Sequence, residues 1–179
     1  DRSASSMPMG ATRHETTTPP PTQRETDDMT VNFERRTVCP APIERVFDLS
    51  LDVDFHQDSM KESGESAIGG VRAGKMALGD IVTWRARHFG IMWTMTSKIT
   101  EYDRPHMFVD EQHRGPFKKF HHEHRFTAID DQTTELVDVI EFQAPVGPIG
   151  RVVERVLLRR HLEQLIDLRN AELVAALDA

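Results

Sequence analysis

From Ile81 to Gln143 the sequence offers five strand-like segments in close succession, at about 81–89, 91–102, 106–114, 117–129 and 133–143. The breaks between them are short: Gly90, Asp103-Arg104-Pro105, Gly115-Pro116 and Asp130-Asp131-Gln132. Parallel strands need a crossover of roughly a dozen or more residues, so these breaks admit hairpins only. The segments therefore predict an antiparallel meander.

Val31–Cys39 reads as a further strand, which Pro40 stops by removing a ladder donor. Pro42 stands where the first turn of a helix tolerates it. Ile43, Val46 and Phe47 follow at helical spacing, and a second short helix is predicted from about Leu51 to Met60. Glycines 64, 69, 70, 74 and 79 punctuate loops. Their spacing is not a dinucleotide fingerprint, and a strand rather than a helix follows them. Beyond Pro145 and Pro148, residues of about 150–177 are helical in pattern. The expected fold class is α+β: a curved antiparallel sheet, two short helices after the first strand, and a long C-terminal helix on one side of the sheet.

The 179 residues suit one domain with a sizeable core. Residues 29–179 are expected to form it, and 1–28 to be a disordered tail, because the Pro/Thr-rich run Thr16–Thr22 and its surroundings offer almost nothing apolar. A net charge of −7 argues against nucleic acid as a partner, since phosphate-backbone binding needs a basic surface. No run approaches the ~20 apolar residues of an integral membrane segment, and the N-terminal stretch has no apolar signal region. The single cysteine, Cys39, leaves no internal disulfide and fits a reducing compartment, so a cytoplasmic location is expected.

Alternation along each strand assigns the faces. In 117–129, Lys119, His121, Glu123 and Arg125 are expected in water, and Phe120, His122, His124, Phe126 and Ala128 inside. In 81–89, Val82, Trp84, Ala86 and His88 share a face opposite Arg85 and Arg87. Trp93, Met95, Ser97 and Ile99 are assigned inward, as are Phe108, Asp110 and Gln112 in preference to Val109 and Glu111. The last strand turns Thr134, Leu136, Asp138, Ile140 and Phe142 to one face. The inner surface is thus apolar and aromatic with embedded ionisable groups. A plain core rarely holds so many, because each is costly to bury unpaired, whereas ligand pockets have such mixed linings. The candidate ligand-binding residues are Trp84, His88, Trp93, Phe108, Asp110, Phe120, His122, His124, Phe126 and Asp138. The competing reading is a closed core of mutually satisfied His–Asp pairs.

The C-terminal helix carries two apolar stripes. Ile149, Val152, Val153, Val156 and Leu157 form one; Leu158, Leu162, Leu165, Ile166, Leu173 and Leu177 form the other, nearly opposite at 100° per residue. A short helix leading into a long one is the simpler expectation.

These features resemble a known group. Val31–Asp54, with its strand, Pro40-Ala41-Pro42 and Glu44-Arg45-Val46-Phe47, is similar to the start of START-like helix-grip proteins, the SRPBCC superfamily. Phe108-Val109-Asp110-Glu111-Gln112-His113-Arg114-Gly115-Pro116-Phe117 resembles a segment of its bacterial cyclase-like members. His122–Phe126, the even spacing of Thr134, Asp138 and Phe142, and the Ala144–Gly147 turn continue the likeness. The resemblance spans about 31–177. It implies a sheet of about seven strands gripping the last helix around a deep cavity. Such proteins include lipid and sterol carriers, hormone receptors, polyketide aromatase/cyclases and chaperone co-activators, so the fold does not settle the function.

His122 and His124 lie on one strand face about 7 Å apart, within range of a shared metal, with His88 or Asp138 as a third ligand. The resemblance implies a largely metal-free superfamily, and histidines facing a carboxylate usually pair with it, so no metal or cofactor is expected. As an enzyme, the chain would use His122 or His124 as a general acid or base, oriented by Asp138 or Asp110, in a cyclisation or dehydration of a carbonyl compound. No nucleophile with an adjacent base is visible; Cys39 has no neighbouring histidine. The favoured function is binding of a small apolar or amphipathic molecule, by carriage or sequestration. A protein-partner module, or a homodimer burying the second helical stripe, is the remaining alternative.

Overall fold

The computed structural model describes residues 30–61, 64–144 and 151–179, and only the backbone of 151–155. The expected tail at 1–28, the prolines at 145 and 148, and Ile149 lie outside the described residues.

The chain runs β1 (Val31–Cys39), α1 (Ile43–Ser50), α2 (Val53–Ser59), β2 (Ser66–Gly70), β3 (Ile81–His88), β4 (Ile91–Asp103), β5 (Met107–Arg114), β6 (Lys119–Asp130), β7 (Thr133–Gln143) and α3 (Arg151–Asp178). The seven strands form one antiparallel sheet in the order β1-β7-β6-β5-β4-β3-β2. The strands adjacent in sequence, β1 and β2, therefore sit at opposite edges, and α1 and α2 span between them. Register shifts in β2–β3, β4–β5 and β6–β7 interrupt the ladders, and such bulges bend a sheet.

Local chemistry explains the elements. Pro42 is the N-cap of α1 and Asp52 that of α2, its carboxylate accepting from the Phe55 N–H at 2.9 Å. Val46 and Phe47 turn fully inward from α1. Phe47 is the hub of an aromatic cluster, meeting the rings of Tyr102, Phe108 and Phe126 edge-on at 5.2–5.6 Å between centroids.

Four expectations change. β2 was not among the strand-like segments, because two of its five residues are glycine. Gly70 is required there: its φ is +71°, and a Cβ would collide with the Ile81 carbonyl. Second, α3 is one continuous helix of 28 residues rather than a short helix leading into a long one. Of the first stripe, Val156 and Leu157 are about half exposed. Third, Ala128 is exposed, because β6 outruns the helices that cover its earlier part. Val109, assigned outward, is buried as well.

The remaining faces follow the alternation. Phe120, His122, His124 and Phe126 are buried, as are Thr134, Leu136, Asp138, Ile140 and Phe142, while Arg125 is exposed and His121 half-buried. Leu173 and Leu177 seal the C-terminal end of α3 into the same core as Phe47 and Leu136.

Candidate functional site

Between the sheet and α3 lies a cavity of about 200 Å³. Eight of the ten candidate residues line it: Trp84, His88, Trp93, Phe108, Asp110, Phe120, His122 and His124. From α3 come Leu158, His161, Leu162, Leu165, Ile166 and Arg169.

Phe126 and Asp138 do not line it. Phe47 of α1 fills the space beyond Phe126, with ring centroids 5.2 Å apart, so the cavity ends near Phe108. Asp138 has no exposed surface; it sits behind the two imidazoles, covered from α3.

The polar wall is built by register. His122 lies across from Asp110 on β5, and His124 across from Asp138 on β7. His122 Nε2 is 2.9 Å from Asp138 Oδ1, and its Nδ1 is 3.6 Å from Asp110 Oδ2. His124 Nε2 is 3.1 Å from Asp110 Oδ2. Its Nδ1 stands 2.8 Å from Asp138 Oδ1 but off line, and has no hydrogen-bond partner among the described residues. The two rings lie against each other at 3.8 Å, and Phe108 stacks on His124 at 4.1 Å.

Arg169 and Asn170 complete the cluster, and sequence reasoning missed both. Arg169, 4 % exposed, donates to Asp138 Oδ1 at 3.4 Å and to the Ser50 carbonyl at 3.4 Å. Asn170 donates to Asp138 Oδ2 at 2.7 Å. The available signal was positional: Arg169 falls between Ile166 and Leu173 at helical spacing, inside the apolar stripe. His56 and Glu65, 3.2 Å apart, were also missed and lie on the cavity wall, where the His56 ring packs on Trp84.

Burial opposes ionisation of Asp138, yet the hydrogen bond from His122 and the closeness of both imidazoles outweigh it and hold the carboxyl well below its usual range. Asp110 is lowered by the same balance, and Glu65 by the same balance with His56. Burial, then the neighbouring His124, lowers His122. Burial pushes the Cys39 thiol up to about 11, so it is no nucleophile.

At the mouth, His88 does not approach the cluster. Its Nδ1 lies 3.0 Å from His161 Nε2. Beside it, the two-residue turn Phe89-Gly90 joins β3 to β4 with both residues at positive φ, as a primed hairpin turn requires. The Phe89 ring rests on His161 at 4.5 Å. Phe89, Ile91 and Met92 are all at least half exposed around this turn. Burial lowers both His88 and His161.

A pH dependence follows. His88, His122 and His161 all have folded values below their ordinary 6.5, so the unfolded chain binds more protons just below that pH. Their contribution to stability is complete above 6.5 and is lost as pH falls through the folded values. Asp138 and Asp110 contribute fully above 3.8 and lose their contribution below it. Thermal melts should therefore decline from just under pH 6.5, with a second decline under pH 4, and His161→Gln should soften the first (about pH 8 down to about pH 3 spans both). A melting temperature flat between pH 8 and pH 5 would contradict this assignment.

A curved antiparallel sheet wrapped on a long C-terminal helix, with a cavity between them, is the helix-grip architecture. Solved structures share it at low identity. The Zhui aromatase/cyclase from Streptomyces sp. R1128 matches with a TM-score of 0.69 and 17% identity, covering 83% of this chain and 94% of its own. A START superfamily protein from Mycobacterium smegmatis matches with a TM-score of 0.62 and 12% identity, covering 79% and 96%. The major latex-like protein 151 from Panax ginseng matches with a TM-score of 0.59 and 11% identity, covering 83% and 98%. The family model for polyketide cyclase/dehydrase and lipid transport matches residues 30–178, and the chain belongs to that family. A comparison with curated proteins finds no match. Among the described residues no helix is long and apolar enough to cross a membrane.

Proposed function

We propose that the chain binds a compact, mainly apolar molecule in the cavity between sheet and α3, its polar end held at the His122–His124–Asp110 wall, and carries or sequesters it. The observation that supports this reading most is the cavity itself, apolar over most of its lining and polar at one wall. At about 200 Å³ it is smaller than the ~300–1,000 Å³ of typical ligand clefts, which favours a compact ring system over an extended lipid. The function needs no cofactor.

The test fills the cavity without touching the polar wall. Ala86 is buried, lines the cavity and stands across from Trp93. Ala86→Phe should abolish saturable binding of an environment-sensitive apolar fluorophore while the protein still melts cooperatively. Native mass spectrometry of protein taken straight from the expression host should find a retained small molecule in wild type and not in Ala86→Phe. Unsaturable fluorophore binding, or equal binding by both proteins, would refute the reading.

A second reading has its own observation. Two imidazoles, each flanked by two carboxylates, meet the cavity beside a buried guanidinium, an arrangement suited to moving a proton at a bound carbonyl. The likeness to an aromatase/cyclase leans the same way. Conversion of a bound ligand by wild type but not by His122→Gln, with binding retained in both, would establish it over simple carriage.

A further inference from the structure

The His122–His124–Asp110 wall holds more than a polar anchor needs. Asp110 Oδ2, His122 Nδ1 and His124 Nε2 converge on one point of the cavity wall, all three atoms lying within 4.8 Å of one another. The carboxylate oxygen is 3.1 Å from one nitrogen and 3.6 Å from the other. Ligand atoms about 2.0–2.1 Å from a shared metal stand roughly 3 to 3.5 Å apart; both edges to Asp110 are near that range, and the edge between the two nitrogens, within 4.8 Å, would close by rotation of the imidazoles.

Further features suit a cation at this point. The far nitrogen of one ring, His122 Nε2, hydrogen-bonds Asp138 Oδ1 at 2.9 Å, and that of the other, His124 Nδ1, lies 2.8 Å from the same oxygen but off line. A carboxylate behind the imidazoles is the outer-shell arrangement that orients histidine ligands and raises their basicity. Asp138 is itself locked by Asn170 and Arg169. Two carboxylates, Asp110 and Asp138, lie against the pair of imidazoles, and Arg169 pairs with Asp138. Finally, the remaining coordination positions open into the cavity that these three residues line.

We infer that Asp110, His122 and His124 form a binding site for a divalent first-row transition metal, with Asp138 as its outer-shell carboxylate. Two histidines and one carboxylate with open positions suit Zn²⁺, Fe²⁺ or Co²⁺ rather than the all-oxygen cations Mg²⁺ and Ca²⁺. A metal here would meet the polar end of a cavity ligand directly. The third ligand is thus Asp110, not the His88 or Asp138 considered from the sequence: His88 is engaged with His161, and Asp138 lies on the far side of the rings.

The experiment uses tag-free protein stripped with a chelator, then titrated with Zn²⁺ by calorimetry and with Co²⁺ by visible absorption. One equivalent should bind saturably, with d–d bands of a low-symmetry site, and Zn²⁺ should raise the melting temperature as ligand linkage requires. Asp110→Asn and His124→Gln should each weaken binding at least ~10-fold, and Asp138→Asn about 10–100-fold, the range for outer-shell partners. His121→Gln and Cys39→Ser should leave affinity unchanged. Asp110 is only half-buried, so Asp110→Asn decides the matter even if the deeper variants unfold. Absence of stoichiometric uptake by wild type, or unchanged affinity in folded Asp110→Asn, would overturn the assignment. Fluorophore binding by the stripped protein is measured separately, so a metal-free result leaves the cavity reading standing.

Discussion

Asp138→Leu is expected to lower the unfolding free energy by about 3–5 kcal/mol, enough to consume much of the ~5–15 kcal/mol available to a domain. The residue has no exposed surface, and its carboxylate receives His122, Asn170 and Arg169. Truncation leaves the Arg169 guanidinium buried, with the Ser50 carbonyl and the Asn170 side chain as its partners among the described residues. It also leaves His122 Nε2 without an acceptor. The cost comes chiefly from orphaning these groups rather than from losing a favourable attraction. The double variant Asp138→Leu/Arg169→Met should therefore recover a substantial part of the loss, since it removes the stranded charge with its partner. Denaturant unfolding of wild type, both single variants and the double variant closes the cycle. Additive losses would show that the two side chains are not coupled.

The second large effect separates two parts of one helix. Leu173→Ala should cost about 2–5 kcal/mol, because Leu173 is fully buried in the core shared by Phe47 and Leu136, and deletion leaves a void. Leu162→Ala should cost much less. Leu162 is only partly buried and borders the cavity, so truncation enlarges a space that already exists. Leu162→Ala should then accept bulkier apolar fluorophores than wild type does, while Leu173→Ala keeps the wild-type preference and melts earlier. Equal destabilisation by the two would mean that the cavity side of α3 is packed like core. The exposed Val156 and Leu157 belong to neither part and should tolerate serine within ~0.5 kcal/mol.

The inward stripe of α3 does not distinguish these roles in sequence. Leu162, Leu165, Ile166, Leu173 and Leu177 share one apolar periodicity, which reports the buried side of a helix and not what covers it. The docking of α3 against α1 and the curved sheet places Leu173 in the sealed end and Leu165 on the cavity wall.

Strand content, hairpin order and facing were legible because they are local. A two-residue repeat sets which side chains share a face, and breaks of one to three residues admit no topology but the meander. Thus Phe120, His122 and His124 could be turned inward from the pattern of β6 alone. β2 escaped because its glycines carry no face. What tertiary structure alone decided is partnership. Arg169 reaches Asp138 across 31 positions and the Ser50 carbonyl across 119, and no periodicity encodes a contact between a helix and a strand so far apart. The same holds for Asp138, which alternation puts on the inner face. Only the closure of α3 over β7 makes it a buried anchor behind the two imidazoles rather than a residue of the cavity wall.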